Sequence, residues 1–294
     1  MNNILILGGA GRVGQFMARI LESHANALTL IDLVAPPPQY SHYLMNALDV
    51  VEHKPDILQD ITIIVFALAE DLAIRTLERF SQKSPSVELI INTCSVQDAF
   101  HAKTEVFFPS ADSVGINFLF APDLDCRGRS VVVCERRQSK AGELLETILL
   151  HKGMEVRKVA PADHDGLMAI CQSLPHAAIL AFALALQRSG FDIETLSALS
   201  PPPMRAMLSM VARVLQNSPE TYWEIQKYNS SAQEQRDQMI SGLGLLTDLS
   251  REISSNNFSD ELCKVRQYFG THLEMYTDAS AQFFDVLNRN QRVN

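Results

Sequence analysis

The sequence predicts an α/β fold in which an N-terminal doubly wound parallel sheet is followed by an all-α C-terminal region. Three observations carry this. Over the first 160 residues, short β-rich runs alternate with helical patterns. Beyond that the strand pattern stops and the chain reads as successive helices. With 294 residues the chain is long enough for two domains, each able to bury a core. We expect them at 1–160 and 161–294.

The runs at 3–7, 27–32, 61–67, 87–92, 113–118 and 129–135 are rich in Val, Ile and Leu, as strands buried on both faces require. Between the first two, Val13, Phe16, Met17, Ile20 and Leu21 recur on one helical face. Strands alternating with helices imply a parallel sheet covered on both sides. APPPQY at 35–40 reads as a surface loop, and CERRQSK at 134–140 as a solvated loop or helix start. From Asp165 to Leu287, helices are broken at Gly190, at the SPPP of 200–203, at Ser218-Pro219 and around the SSNN of 254–257. The stretch 166–188 is apolar on nearly every face, which implies burial on all sides, in a bundle or a subunit interface. Pro175 should kink it.

A net charge of −9 argues against a nucleic-acid partner, whose phosphates need a basic face, but leaves room for a small anion held by one or two cations. Five scattered cysteines without a CxxC read as reduced thiols. The N-terminus, MNNILILGG, enters a strand directly with no basic leader. The longest apolar run, 177–186, falls short of the ~18 residues of a membrane span, so a cytoplasmic protein without membrane contact is expected. No HExxH or Cys/His cluster suggests a metal.

ILILGGAGRVGQFMARIL holds GxGxxG as Gly9, Gly11 and Gly14, directly after a strand and opening a helix. The first glycine permits the tight turn, the second lets a pyrophosphate approach, and the third lets helix and strand pack closely. The phosphates then rest on the helix N-terminus. Asp32 ends the second strand, where a carboxylate binds ribose hydroxyls and repels a 2′-phosphate. The pattern is that of a Rossmann-type domain with NAD as cofactor; the bland reading is a glycine-rich turn.

Other candidates are open on their own evidence. His164 and His176 are each more often core or interface histidines than catalysts. Arg205 and Arg213 lie near one helix face, two turns apart, and either pairs with a protein carboxylate or waits for a ligand's. GINFLFAPD, at 115–123, sets Asn117 among apolar residues. A buried Asn must find partners or cost roughly 1–3 kcal/mol. It is a core residue, a turn residue or part of a site.

Taken together these stretches resemble the prephenate/arogenate dehydrogenase family. GGAGRVG is similar to its nucleotide loop, NTCSVQDA (92–99) to its DxxSVK stretch and VGINFLFAPD to its GxHPMFGP. ADHDGLMAICQSLPHA (162–177) is similar to its EHD…QxLxH helix. MRAMLSMVARVLQNSPETYWEI is similar to its substrate-arginine helix and following tyrosine. The resemblance runs from Asn3 to about Leu287. It implies an enzyme that takes a hydride from C4 of an anionic cyclohexadienyl substrate onto NAD(P) while the ring carboxylate leaves as CO2. It implies that Arg12 and Val13 join the glycines at the cofactor and that Ser95 lies near the reacting carbon. It also implies that Arg213 binds a substrate carboxylate, that His176, Gln172 and Tyr222 line the substrate cleft, and that the helical domain forms a homodimer.

Two positions depart from the family. Its lysine after Ser-Val is Gln97, and its catalytic histidine is Asn117, followed by Phe118 in place of proline. Asn cannot take a proton. We therefore expect a substrate whose C4 group needs no base, 4-amino-4-deoxyprephenate, giving 4-aminophenylpyruvate. The alternatives are a prephenate or arogenate dehydrogenase that tolerates the loss and a redox-inactive nucleotide-binding paralogue. A hydroxyacid dehydrogenase shares the architecture, but no lysine stands at a suitable position.

Overall fold

The computed structural model describes residues 2–84 and 86–289. The chain divides into two compact units. One comprises the residues up to Met168 together with Tyr228–Ser230; the other comprises Ala169–Lys227 and the residues from Ser231 onward. The expected junction at 160/161 lies earlier, at the start of a helix that begins at Pro161.

The first unit is an eight-stranded sheet. Its strands are β1 (Asn2–Leu7), β2 (Ala25–Asp32), β3 (Ser41–Leu44), β4 (Ile63–Phe66), β5 (Leu89–Asn92), β6 (Asp112–Phe118), β7 (Ser130–Cys134) and β8 (Glu155–Val159). Their spatial order is β3-β2-β1-β4-β5-β6-β7-β8. The chain therefore leaves β1 toward one edge and returns to the other, and ligands in such sheets bind outside the carboxyl ends at that reversal. Helices α1 (Arg12–Leu21), α2 (Val50–His53), α3 (Glu70–Phe80), α4 (Asp98–Phe107), α5 (Lys140–His151) and α6 (Pro161–Met168) complete the unit. One core sits beneath α1 and α5, with Phe16, Met17, Val114, Ile116 and Leu149. The other contains Leu77, Phe80 and Phe100 of α3 and α4.

Three features differ from the sequence expectation. β3 (SHYL) and β8 (EVRKV) are the sheet's two edges, and their exposed polar residues hide the apolar signal of a strand. β7 pairs antiparallel with β6, because residues 119–129 connect them without a crossover helix. The other neighbouring strands are parallel.

The second unit is helical: α7 (Leu174–Gln187), α8 (Ile193–Ala198), α9 (Pro202–Leu215), α10 (Pro219–Tyr228), α11 (Ala232–Leu249), α12 (Asn256–Phe269) and α13 (His272–Arg289). Four breaks fall at the expected places, two more, at 229–231 and at 270–271, were not expected, and Gly190 adopts φ +81° between α7 and α8. Within the unit α7 packs on α9 and α11, and α9 on α13. Ahead of Pro175 the helix widens into a π turn over Ala169–Ser173. That register relieves the clash of the proline ring with the carbonyl one turn earlier. All-round burial of this helix within one chain is not what the structure shows. Pro161–Gln187 is long and apolar enough to cross a membrane by length and composition, yet only 22 % of its most apolar window is buried.

Candidate active site

The glycine loop joins β1 to α1. The tight turn is made at Gly8, with φ +78°, rather than at Gly9 as the motif suggested. Gly9 is needed for a different reason, since a Cβ there would stand 2.6 Å from Leu30 Cβ. A Cβ on Gly14 would meet Gly8 O at 2.1 Å, so only glycine lets α1 approach the loop. Gly11 caps α1 without a side chain, which leaves the first-turn N–H groups without a side-chain acceptor. Val13 packs on the core beneath, while Arg12 pairs with Asp123. Asp32 lies against the loop, its Oδ2 accepting from Ala10 N at 2.9 Å and its Oδ1 from Val34 N at 3.1 Å. The cradle and the acid fit a dinucleotide.

Ser95 and Asn117 come from neighbouring strands. Ser95 follows β5, half-buried, with no side-chain hydrogen bond among the described residues. Asn117 lies near the end of β6, where period-two alternation sends Val114, Ile116 and Phe118 to the α1 face and Asn117 to the other. Phe118 stacks edge-on against Phe16 at 5.0 Å, so it fills that core. Asn117 is 4 % exposed, and its Nδ2 meets His164 Nε2 at 3.2 Å. His164 Nδ1 in turn meets Asp165 Oδ1 at 2.8 Å. Asp165 accepts from Gln97 N at 2.9 Å and Asp98 N at 3.2 Å, and its carbonyl accepts from Asn229 Nδ2 at 2.7 Å.

Gln97 is fully buried with both amide ends engaged. Its Oε1 accepts from Asn92 Nδ2, and its Nε2 donates to Cys94 O. It is a neutral spacer here. His101 stands nearby, its Nδ1 on Ser113 Oγ at 2.9 Å and its buried Nε2 without a hydrogen bond. Burial, then Arg136, pushes its pKa down to about 4. Sequence reasoning does not single out Asp165 and leaves His164 a lone histidine. The adjacent His-Asp pair is the only local signal, and their partners lie 47 and 67–68 residues away in the chain.

In the helical unit, Arg213, His176 and Tyr222 come together. His176 meets the Tyr222 ring edge-on at 4.9 Å, and its buried Nδ1 has no hydrogen bond. Desolvation, then the Arg213 charge, lowers its pKa and holds it neutral. Asn217 Nδ2 donates to Tyr222 Oη at 2.9 Å and to Arg213 O at 3.0 Å, tying α9 to α10. Arg213 is exposed rather than buried, and among the described residues no carboxylate pairs with it. Gln172 lies on the π turn, half-buried, with no side-chain hydrogen bond among the described residues. Among the described residues no group of three His, Cys, Asp or Glu forms a metal site.

Residues 160–267 match the family model described as "Prephenate dehydrogenase, dimerization domain". That match lies in the helical region, and the chain as a whole resembles prephenate dehydrogenases. It is 28% identical over 287 residues to a 4-amino-4-deoxyprephenate dehydrogenase of Streptomyces pristinaespiralis, covering 97% of each chain. It is 26% identical to a T-protein of Haemophilus influenzae over 98% of this chain and 72% of that one. Its fold is similar to that of the prephenate dehydrogenase of A. aeolicus, solved with hydroxyphenyl propionate and NAD+. That match has a TM-score of 0.66 at 16% identity and covers 91% of this chain and 97% of the other.

Proposed function

We propose that this protein is an NAD-dependent dehydrogenase that oxidatively decarboxylates 4-amino-4-deoxyprephenate to 4-aminophenylpyruvate. The observation that carries this reading is the buried amide of Asn117 where the family's base is expected. The similarity to a 4-amino-4-deoxyprephenate dehydrogenase over nearly the full chain supports it.

With a hydroxyl at C4, hydride loss builds a protonated carbonyl, and a positioned base contributes ~10²–10⁴-fold by taking the proton. With a free amine, the nitrogen lone pair stabilises the cation as an iminium that keeps both protons. Breaking the bond to the ring carboxylate releases CO2, and its electron pair neutralises the iminium as the ring becomes aromatic. Nitrogen carries the developing positive charge far more readily than a hydroxyl oxygen does, so the amine does not depend on a base that the hydroxyl compound gains from. What the site needs is an acceptor for N–H, and the Asn117 amide carries one. When bound, NAD supplies the hydride acceptor; Gly9, Gly11 and Gly14 would hold its pyrophosphate and Asp32 its ribose. Ser95 orients the ring near C4. Arg213 binds a substrate carboxylate, with neutral His176, Gln172 and Tyr222 beside it.

The exposed apolar helix Pro161–Gln187 and the dimerization-domain match support a homodimer through the helical unit rather than a membrane span. None of the five cysteines is in a disulfide, which fits a reducing, cytoplasmic compartment.

NADH formation with prephenate, arogenate and the 4-amino compound, measured side by side, tests the reading. The amino substrate should give the highest kcat/KM, rising with pH until the free amine predominates. Asn117→His should raise prephenate turnover by on the order of 10²-fold. A wild-type enzyme that uses prephenate at least as well as the amino compound overturns the substrate.

A further inference from the structure

We infer that His164 and Asp165 act as positioning residues that fix the polarity of the Asn117 amide, turning its oxygen outward as a hydrogen-bond acceptor. The inference rests on the reading above that Asn117 meets the C4 substituent.

The Asp165 carboxylate gathers three donors: the backbone N–H groups of Gln97 and Asp98, and His164 Nδ1 at 2.8 Å. A carboxylate held this way accepts from an imidazole nitrogen, so Nδ1 carries the ring proton. A neutral imidazole has one such proton, and Nε2 is left as a bare lone pair. His164 is fully buried, so water does not satisfy that lone pair. The group facing it is the Asn117 amide at 3.2 Å. Turned one way, Asn117 donates to Nε2; turned the other, oxygen faces nitrogen and a buried acceptor pair repels. The amide is therefore held with Nδ2 toward His164. Asn117 Oδ1 makes no hydrogen bond among the described residues, and it is the atom left to meet a ligand. Asn229, donating to the Asp165 carbonyl at 2.7 Å, anchors the pair from behind.

The consequence is catalytic. An outward NH2 would donate to the substrate nitrogen and tie up the lone pair that expels the hydride. An outward oxygen accepts N–H instead, and that bond strengthens as the nitrogen becomes positive. The interaction is larger in the transition state than in the ground state, so it acts on kcat more than on KM.

Nitrogen-15 NMR of histidine-labelled wild-type enzyme at neutral pH, with the His164 signal assigned from a His164→Gln variant, reads the tautomer directly. We expect the Nδ1–H form, the opposite of the Nε2–H form that free histidine favours. An Nε2–H or doubly protonated His164 overturns the inference. Kinetics give the second readout. His164→Leu should lower kcat by about tenfold or more with KM within about twofold. His164→Gln, whose amide oxygen restores an acceptor, should recover much of that loss. A folded His164→Leu enzyme with wild-type kcat also overturns the inference; if that variant does not fold, the tautomer decides alone. Preference for prephenate by the wild-type enzyme would remove the proposed substrate but leave the tautomer and kcat tests standing, because a hydroxyl also donates to Oδ1.

Discussion

The nucleotide unit and the helical unit solve the problem of burying apolar surface in different ways. In the first, helices cover both faces of one sheet, and Leu5, Ile6, Phe66, Phe80 and Phe100 are excluded from water. In the second, the buried apolar residues among those described are few and mostly small: Ala169, Ala177, Val214, Ile225 and Ala232. Leu184, Leu199, Leu215, Ile240 and Leu243 stand exposed on the same unit. Patches of that kind mark interaction surfaces in soluble proteins. The comparison teaches that the sheet buries its apolar surface within one chain, while the helical unit leaves apolar surface exposed, which the proposed homodimer would cover. The chemistry follows the same division: a pre-built glycine cradle and a buried amide on one side, and an exposed arginine on the other.

The largest expected effect breaks that contrast at its source. Leu184→Glu puts a charge on the exposed face of α7, and an uncompensated charge in an interface costs several kcal/mol. Analytical ultracentrifugation should show dissociation to monomers at least about 100-fold weaker in dimer affinity, with NAD binding retained. A Leu184→Glu protein that stays dimeric would refute α7 as the interface.

Acid should sharpen the contrast from the other side. His101, on the buried side of α4, has its pKa pushed down from 6.5 to about 4, first by burial and then by Arg136. A depressed folded-state value means stability is full above pH 6.5 and falls as pH drops through about 4. The difference is worth roughly 3 kcal/mol. Chemical denaturation across that window should show this loss in wild type and a flatter profile in His101→Gln.

Next in size is Arg213. A charge-assisted pair with a carboxylate is worth roughly 1.5–3 kcal/mol, so Arg213→Gln should lower kcat/KM by about 10–100-fold and leave NAD affinity unchanged. Arg213→Lys keeps the charge but loses the planar fork, and KM should still rise. Unchanged kinetics in Arg213→Gln would remove its role. The smallest effect concerns cofactor choice. Asp32→Ser should weaken NAD by about tenfold while NADP changes little, read by fluorescence titration, and equal losses for both would contradict ribose recognition by Asp32.

Much of the architecture was legible because its causes are local. A strand, a glycine loop and an amphipathic helix sit within twenty residues, and each helix break carries its own Pro, Gly or Asn. The edge strands β3 and β8 were hidden because charged and polar residues that protect an edge also erase the strand signal. The glycine motif joins β1 to α1 as expected, but the turn belongs to Gly8, where a Cβ would stand 2.1 Å from Ala67 O, just past the end of β4. Arg213 is exposed although Val211, Ala212, Val214 and Leu215 flank it, because flanking residues on a helix point to other faces.

By itself the sequence determined that a Rossmann-type domain precedes a helical one, for which local periodicity suffices, and that an amide stands at Asn117, where only the resemblance to the prephenate dehydrogenase family implies a base. Only the tertiary structure decided what that amide faces, because its partner is His164, which Asp165 holds, and Asp165 is fixed in turn by Gln97 and Asp98. Hydrogen bonds across 47 and 67–68 residues are set by strand register and helix packing, which no local pattern encodes.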